Sequence, residues 1–387
     1  MGKKDRDLII GNNIIITEKG NDRVKVDNSS YHIVENGRGK RSKFWLSKQN
    51  GDKLENLYLF KQNLISVSRE DIGELFYYLL SKQVKAPAVE CHLAKYQRKD
   101  GSIECGILSK NYKTKDSIVE ISGKSILLQY ADKYFDNNNG KKVQLSNCVN
   151  SYMDAIKYLY ADSKIDYKDL RDSLVQQVIL DYLYHQNDRH WGNITFLMDE
   201  EIGPSSIRVA DSYDNGNMFL LNKDIFKINQ YLTQINGGDK LFTDAFFAET
   251  KKNVPLFAIS IPTVNKMYGN ESESKSYDCL EPCQKEIPFA IDIAKELLKN
   301  PEMKMFYENV KNNTDIMEAV AEMSQTEEMP KGLEELSQLI FENRTAKIDE
   351  AMLNLVARKE AKEQAKLSEN AFTHFNEVNS DLGREIR

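Results

Sequence analysis

The chain has 387 residues and a formal net charge of −6, and its lysines and arginines are spread along the whole sequence. A nucleic-acid-binding protein usually carries a basic excess, so this balance argues against direct nucleic-acid binding. Apolar residues make up 41% of the chain and charged residues 29%, which is ordinary for a globular protein with a sizeable buried core.

The cysteine content and the hydropathy of the chain indicate the cellular compartment in which we expect the protein. The five cysteines are odd in number and irregularly spaced, which argues against a disulfide framework and favours a reducing environment. Residues 1–20 lack the continuous apolar core of a signal peptide. No stretch approaches the roughly 18 apolar residues of a membrane span. We therefore expect a cytoplasmic protein, in a bacterial cytosol or in a host cytosol if it is secreted without a signal peptide.

The first part of the chain, residues 8–112, is predicted to be strand-rich. Short β-branched and aromatic runs such as "SKFWLS", "NLYLFK" and "ECGILSKNY" are bounded by Gly, Asn and Asp, which is typical of strands. The Asp-Gly pair in "RKDG" (98–101) accommodates positive φ and indicates a hairpin. One helix is predicted over 68–86 from the helical spacing of its leucines, with Ser68 as its N-cap and Pro87 at its end.

The second part, residues 113–387, is predicted to be mostly helical. Residues 134–142 ("YFDNNNGKK") are expected to form a polar loop. Residues 167–186 are the clearest helix, because their apolar residues repeat every four positions. Residues 286–365 are almost entirely helical in pattern and lead into a charged tail. The pattern predicts an α+β fold with a strand-rich amino-terminal lobe (1–112) and a mostly helical carboxy-terminal lobe.

A dense polar segment follows the predicted helix in "YHQNDRHWGNITFL" (184–197). Asp188 and Asn193 are five positions apart, and a loop of four intervening residues can turn both side chains into one cleft. Phosphoryl transfer needs a carboxylate that orients the attacking hydroxyl and an oxygen ligand for the metal on the phosphates. The same Asp-to-Asn interval occurs in the catalytic loop of protein kinases. His190 lies between them, where it could contact a phosphate or orient Asp188.

Further carboxylates lie in "IRVADSYDNGNMF" (207–219), where Asp-Asn-Gly is strong turn chemistry after an apolar run. The pattern places Asp214, and alternatively Asp211, at the end of a strand. Mg²⁺ prefers one or two carboxylates together with phosphate oxygens. Asn193 and Asp214 would satisfy that preference.

A cation for nucleotide phosphates is offered by Lys61, which closes the apolar run "NLYLFK". Such a lysine usually pairs with a glutamate of a helix, and the next helix offers Glu70 and Glu74. Upstream, "ENGRGKRSKFWL" (35–46) joins two glycines and four cationic residues, among them Lys43, to a strand. Backbone amides in such a loop can cradle phosphates, although it lacks the full spacing of a glycine-rich phosphate loop.

Each of these features alone has an ordinary interpretation. The Asp-Arg-His segment could be a capped helix end with a surface ion pair, Asp-Asn-Gly a plain turn, and Lys61 a solvated strand end. Glu70 or Glu74 could be a surface charge that favours the helix amino terminus. The features occur together, however, in the order that a two-lobed kinase requires, and this combination favours the functional interpretation.

In these motifs the chain resembles the HipA-type serine/threonine kinases, bacterial enzymes that are often the toxin halves of toxin–antitoxin pairs. The resemblance rests on "NDRHWGNITFL", "VADSYDNG", "KRSKFWL" with "LYLFK", and "APAVECHLAKY" with "GILSKNY", and it spans roughly residues 37–220. It implies a two-lobed protein-kinase-like fold, with ATP and Mg²⁺ as cofactors. The chain resembles the short variants of the family, which include stand-alone kinases and kinases whose missing piece is a separate protein.

The resemblance also implies roles for individual residues. Asp188 would be the catalytic base, and His190 would lie near the transferring phosphate. Asn193 and Asp214 would be the Mg²⁺ ligands, and Lys61 would contact the ATP phosphates.

Further implied roles concern the phosphate loop and the connection between the lobes. Ser42 and Lys43 would lie on the phosphates, and Ser42 is the candidate for autophosphorylation. The stretch 107–110, with Leu108 and Lys110, would lie near the adenine as the hinge between the lobes. Glu70 is a candidate for the helix glutamate that pairs with Lys61, and the choice between Glu70 and Glu74 stays open.

These observations together predict an ATP- and Mg²⁺-dependent serine/threonine protein kinase that phosphorylates protein hydroxyls and can phosphorylate itself. Three alternatives stay open at this point: a pseudokinase that binds a partner without chemistry, a lipid or small-molecule kinase on the same scaffold, and a metal-dependent hydrolase. The expected partners are a protein substrate and an antitoxin or small accessory protein, and neither nucleic acid nor a membrane is expected.

Overall fold

The structure is a computed structural model. It describes residues 14–20, 23–26, 29–35, 43–50, 53–63, 68–113, 115–145, 148–220, 225–249, 278–281, 289–313 and 332–385. Of the sequence-based predictions, the loop over 36–42 with Ser42 lies outside these ranges.

The amino-terminal part is a closed β-barrel. Its seven strands are β1 (Ile14–Gly20), β2 (Arg23–Val26), β3 (Ser29–Glu35), β4 (Lys43–Asn50), β5 (Lys53–Gln62), β6 (Cys91–Gln97) and β7 (Ile103–Lys110). Their spatial order is β1-β2-β3-β4-β5-β7-β6, and the barrel closes through parallel pairing of β1 with β6. The strand-rich character predicted for this part is confirmed, whereas the closure of the sheet was not predicted.

The barrel interior is filled by apolar side chains, because alternate residues of each strand face inward. Phe44 and Phe60 stack with their ring centroids 5.0 Å apart, and Tyr96 packs against both rings. Leu46 and Leu108 are buried in the same cluster. The predicted hairpin at 98–101 is confirmed, since Arg98 donates its N–H to the Ser102 carbonyl and β6 pairs with β7.

One helix, α1 (Glu70–Val84), lies between β5 and β6 in the chain and packs against β6 and β7. Its C-cap residue is Lys85, which has a left-handed conformation with φ 58°. The residue at its N-cap is Arg69, which makes no side-chain capping hydrogen bond. The prediction that Ser68 caps this helix is therefore wrong, because Ser68 lies one residue too early and is fully buried.

The carboxy-terminal part is mainly helical around a small antiparallel sheet of β8 (Ile118–Ser122), β10 (Thr195–Asp199) and β11 (Arg208–Val209). A second, two-stranded sheet pairs β9 (Val143–Gln144) with β12 (Leu280–Glu281). The described helices of this part are α2 (Gly123–Asn137), α3 (Cys148–Leu159), α4 (Tyr167–Leu183), α5 (Ile225–Asn236), α6 (Lys240–Phe247), α7 (Phe289–Lys299), α8 (Pro301–Lys311) and α9 (Leu333–Glu385).

The predicted helix over 167–186 is confirmed as α4, which Asp166 caps by accepting from the N–H groups of Lys168 and Asp169. The predicted loop at 134–142 is partly wrong, because α2 continues to Asn137. The helical pattern over 286–365 is confirmed wherever the structure describes it. None of the helices in the described ranges is long and apolar enough to cross a membrane.

Candidate functional site

The segment that follows α4 forms a compact loop in which Asp188 and Asn193 are in contact. His185 leaves the helix with φ 58°, and residues 191–193 form one turn of 3₁₀ helix. The Asn193 side-chain amide donates to the Asp188 carbonyl at 3.1 Å. Because its nitrogen is held in this way, the amide oxygen is the atom that Asn193 can offer to a cation.

The Asp-Asn-Gly turn follows β11, in agreement with the sequence-based expectation of a strand end. Asp214 adopts φ 59°, a left-handed conformation that is uncommon for a residue other than glycine and tends to occur at functional sites. Its backbone is held by Gln186, whose side-chain amide donates to the Asp214 carbonyl at 2.8 Å. Its carboxylate forms an ion pair with Lys61. The sequence left Asp211 and Asp214 as alternatives, and of these two it is Asp214 that contacts Lys61 of the barrel.

Lys61 lies near the end of β5, and its ammonium group joins the two parts of the molecule. It pairs with the Glu74 carboxylate at 2.8 Å and with Asp214. The second Glu74 oxygen accepts the N–H of Asn215 at 2.9 Å. Lys61 and Glu74 are both buried, so water screens the ion pair between them only weakly.

Glu74, rather than Glu70, is the described helix partner of Lys61. Glu70 lies one turn earlier on α1, where it packs against the Asp-Asn-Gly turn. A Cβ at Gly216 would lie 2.8 Å from the Glu70 Cβ, and a Cβ at Gly73 would lie 2.9 Å from the Gly216 carbonyl oxygen. Both glycines are thus required by the close approach of the helix to the turn, and Glu70 contributes to the site by packing.

Arg189 lies at the centre of the two loops and is fully buried. Its Nε donates to Asp181 of α4 at 2.9 Å and its Nη2 to the other Asp181 oxygen at 3.2 Å. Its Nη1 donates to the carbonyls of Asn193 (3.3 Å) and Tyr213 (2.6 Å). The carbonyls of Asn193 and Tyr213 both accept from Nη1 of Arg189, so these two residues lie close together. Because Tyr213 directly precedes Asp214, the backbone segments of Asn193 and Asp214 lie side by side.

His190 is partly buried and neutral at physiological pH. Burial lowers the pKa of its imidazole below the ordinary value of 6.5, the nearby Asp214 opposes this shift, and Arg189 reinforces it. Its Nδ1 accepts the N–H of Gly192 at 3.0 Å, which assigns the ring proton to Nε2. His190 can therefore present one N–H donor on a ring held by its own loop.

The remaining predicted residues lie on the barrel. Lys43 of β4 is directly opposite Lys61 of β5 in the strand register, so both cations are on one face of the barrel. The Leu108 side chain belongs to the barrel core, and Lys110 is exposed and pairs with Glu90 at 3.3 Å. The adenine-binding role assigned to 107–110 stays a prediction, and for Leu108 it could involve only the main chain.

The oxygen-donor set fits Mg²⁺. An amide oxygen from Asn193 and a carboxylate from Asp214 are the oxygen ligands that this cation takes together with phosphate oxygens. Asp211 is less suited, because burial raises the pKa of its carboxyl group, an effect that Arg208 opposes. Within the ranges that the structure describes, no group of three or more His, Cys, Asp or Glu side chains could hold a metal.

Sequence reasoning did not assign roles to Arg189 and Asn215. A signal was present for Arg189, because Asp181 interrupts the apolar face of α4 and a buried carboxylate needs a partner. Asn215 was considered only as turn chemistry, although its side-chain oxygen accepts from Arg189 and its backbone donates to Glu74.

Comparison with known proteins relates this arrangement to a fold. No family model matches the sequence, and no curated protein matches it. Among solved structures, the crystal structure of the Helicobacter pylori proinflammatory kinase CtkA is similar, with a TM-score of 0.53 and 17% identity over 84% of this chain and 96% of that chain. HipA in its complex with HipB and operator DNA from Shewanella oneidensis gives a TM-score of 0.43 and 11% identity, over 87% and 68% of the two chains. The similarity to the CtkA structure shows that the chain shares a fold with that protein, in agreement with the kinase resemblance predicted from its motifs.

Proposed function

We propose that this protein is an ATP- and Mg²⁺-dependent kinase that transfers the γ-phosphoryl group to serine or threonine hydroxyls of proteins. The observation that carries the proposal is the position of Lys61, which pairs with Glu74 of α1 and with Asp214 of the opposite part. A lysine on a strand, a helix glutamate and a metal-binding aspartate are the groups that protein kinases use for phosphoryl transfer from ATP.

The chemistry follows from the positions of the side chains. The hydroxyl oxygen of the substrate would attack the γ-phosphorus in line with the departing oxygen of ADP, and Asp188 would orient the hydroxyl and accept its proton. Lys61, and Lys43 on the same face, would neutralise the phosphate oxygens. The Nε2–H of neutral His190 would donate to a phosphate oxygen. Mg²⁺, when bound through Asn193 and Asp214, would stabilise the negative charge on the phosphates.

The salt bridge between Lys61 and Asp214 brings the proposed phosphate-binding cation and the proposed metal ligand together. When ATP binds with its cation, phosphate oxygens would replace Asp214 as the negative partner of Lys61. The cation would replace Lys61 as the positive partner of Asp214. Because the groups are already close together, little reorganisation of the protein would be needed to form the nucleotide complex.

Radiolabelled ATP tests the proposal on the purified full chain. We expect phosphate incorporation into the chain or an added protein mixture in the presence of Mg²⁺, and its loss when EDTA is added. Asp188→Asn should reduce the rate by about 10²- to 10⁴-fold, the usual contribution of general acid–base catalysis. The matched control is Asp162→Asn, because Asp162 is an exposed aspartate on a turn outside the loop.

Two outcomes would contradict the proposal. The first is a wild-type chain that transfers no phosphate with either Mg²⁺ or Mn²⁺. The second is equal labelling by the Asp188→Asn and wild-type chains. Phosphopeptide mapping of the labelled chain would also test Ser42 as the autophosphorylation site.

The proposed partner is a protein substrate, together with an antitoxin or small accessory protein. HipA of Shewanella oneidensis was solved with HipB and operator DNA, and the corresponding partner of this chain is a proposal only. Affinity purification of the tagged chain from its own cells, followed by mass spectrometry, would identify a stoichiometric companion.

A further inference from the structure

The guanidinium group of Arg189 uses all of its N–H donors inside the protein. Beyond Asp181 and the carbonyls of Asn193 and Tyr213, its Nη2 donates to the Ser212 hydroxyl at 2.9 Å and to the side-chain oxygen of Asn215. Arg189 and Asp181 have no exposed side-chain surface. The five N–H groups of Arg189 meet six acceptor atoms, so one N–H of Nη2 is shared between two acceptors, and no other side chain offers such a planar arrangement of donors.

Asn215 extends the network from Arg189 across the molecule. Its side chain accepts from Arg189, while its backbone N–H donates to Glu74 at 2.9 Å. The other Glu74 oxygen holds Lys61. Hydrogen bonds therefore run without interruption from Asp181 of the helical part to Lys61 of the barrel.

The network connects the segments that carry the proposed metal ligands Asn193 and Asp214 with the pair of Lys61 and Glu74. Arg189 contacts the backbone of Asn193 directly and that of Tyr213 just before Asp214. Through Asn215 it also determines where Glu74 and Lys61 lie relative to those two ligands. A displacement of Arg189 would thus change the distance between the metal ligands and the orientation of the barrel cation together.

We propose that Arg189 and Asn215 are positioning residues that hold Asn193, Asp214 and the Lys61–Glu74 pair in one geometry for a magnesium–nucleotide complex. The inference rests on the proposed function and deepens it. Neither residue needs to touch the substrate: each acts through the groups that it orients, as partners behind metal ligands generally do.

A purely structural role for Arg189 makes a different prediction. If Arg189 only neutralises Asp181 inside the protein, its replacement would lower thermal stability. Phosphate transfer by the molecules that remain folded would then depend on magnesium as it does in the wild type. If Arg189 positions the ligands, the magnesium dependence must change even in a variant that remains folded. The concentration of Mg²⁺ that gives half-maximal phosphate transfer at saturating ATP separates the two roles.

The experiment compares Arg189→Lys and Asn215→Ala with Arg344→Lys in the full chain. Arg344 is the matched control, because it is a buried arginine of α9 whose guanidinium lies 4.7 Å from the Tyr182 ring, outside this network. Thermal unfolding and circular dichroism establish which variants are folded. Calorimetry with ADP and Mg²⁺ measures binding independently of turnover.

The expected result is a loss of about 10- to 100-fold in apparent magnesium affinity and transfer rate for Arg189→Lys and Asn215→Ala, the usual effect of removing a partner of a metal ligand. Arg344→Lys should lower the melting temperature and leave the magnesium dependence unchanged. If Arg189→Lys does not fold, Asn215→Ala alone carries the test, because it leaves the Arg189–Asp181 ion pair intact.

The inference is overturned if folded Asn215→Ala shows wild-type magnesium dependence and wild-type ADP binding. It is equally overturned if Arg344→Lys shifts the magnesium dependence as much as the network variants do. Failure of the proposed function would look different, since the wild-type chain itself would then neither bind magnesium–ADP nor transfer phosphate.

Discussion

The barrel interior and the junction of the two loops are equally buried, yet opposite chemistry holds them together. In the barrel, Phe44, Leu46 and Phe60 pack without polar partners. At the junction, Arg189 and Asp181 are fully enclosed and bound by directional hydrogen bonds. Apolar packing tolerates many side chains of similar volume, whereas a buried charge network is disrupted when one of its partners is replaced alone. We therefore expect the barrel interior to tolerate substitutions that keep its volume. We expect the geometry of the candidate site to depend on the residues of the junction.

The largest effect on stability is expected when one charge of the junction is removed. Arg189→Met would leave the Asp181 carboxylate buried without its partner and should lower the free energy of unfolding by about 3–5 kcal/mol. Urea unfolding of the full chain measures this loss.

The double variant Asp181→Leu with Arg189→Met sharpens the comparison. Removing both charges should restore much of the stability lost in Arg189→Met, because apolar replacements of buried pairs are often neutral or stabilising. Phosphate transfer should remain impaired, since the link to Asn193 and Asn215 is still missing. Recovery of wild-type transfer in the double variant would contradict the positioning role.

A smaller loss is expected where α1 meets the Asp-Asn-Gly turn. Gly73→Ala would place a methyl group 2.9 Å from the Gly216 carbonyl oxygen, a backbone atom that cannot move aside easily. Overpacking of this kind costs about 1–3 kcal/mol. We expect weaker nucleotide binding as well, because the helix carries Glu74, and calorimetry would measure it. Gly101→Ala is an informative control: the site is open, and only its positive φ opposes the change.

The barrel should tolerate a conservative exchange. Leu46→Met keeps the volume of a fully buried side chain and should cost less than about 1.5 kcal/mol. Phosphate transfer should be unchanged. A large loss of activity in this variant would remove the distinction between a tolerant barrel and a demanding junction.

The smallest effect concerns pH. Because the pKa of His190 is lowered below 6.5 in the folded state, the unfolded chain binds a proton at this residue more readily than the folded chain does. The contribution of His190 to stability should therefore be constant above this value and decrease as the pH falls below it. The difference in unfolding free energy between the wild type and His190→Gln, measured from pH 8 to pH 5, should follow this course. A difference that stays constant over the range would show that the histidine titrates normally.

Much of the fold and of the site could be predicted because the signals are local. Short β-branched and aromatic runs bounded by Gly, Asn and Asp indicated the strands, four-residue spacing indicated α4, and the Asp188–Asn193 interval indicated the loop. The turn containing Asp214 was recognisable from Asp-Asn-Gly alone. These features depend only on neighbouring residues, and a single sequence contains them in full.

What could not be predicted depends on contacts between distant segments. The barrel closes through pairing of Ile14 with Ala94, which no local pattern encodes. Glu70 and Glu74 lie on the same side of α1, one turn apart, so helical spacing could not decide between them, and only the position of β5 places Lys61 against Glu74. From the sequence, Arg189 could be taken for a member of a surface ion pair. Its burial results from the approach of the Asp-Asn-Gly turn, which is more than 20 residues away in the chain.

Closure of the barrel has a consequence for recognition by other proteins. Each of the seven described strands has a hydrogen-bonded neighbour on both sides, so the described barrel has no free edge strand. An incoming extended peptide cannot join this sheet as an eighth strand, a common mode of peptide capture by open sheets. Proteins that dock on this part must bind the side chains on its outer wall, so substitutions on that wall should change partner choice without disturbing the sheet.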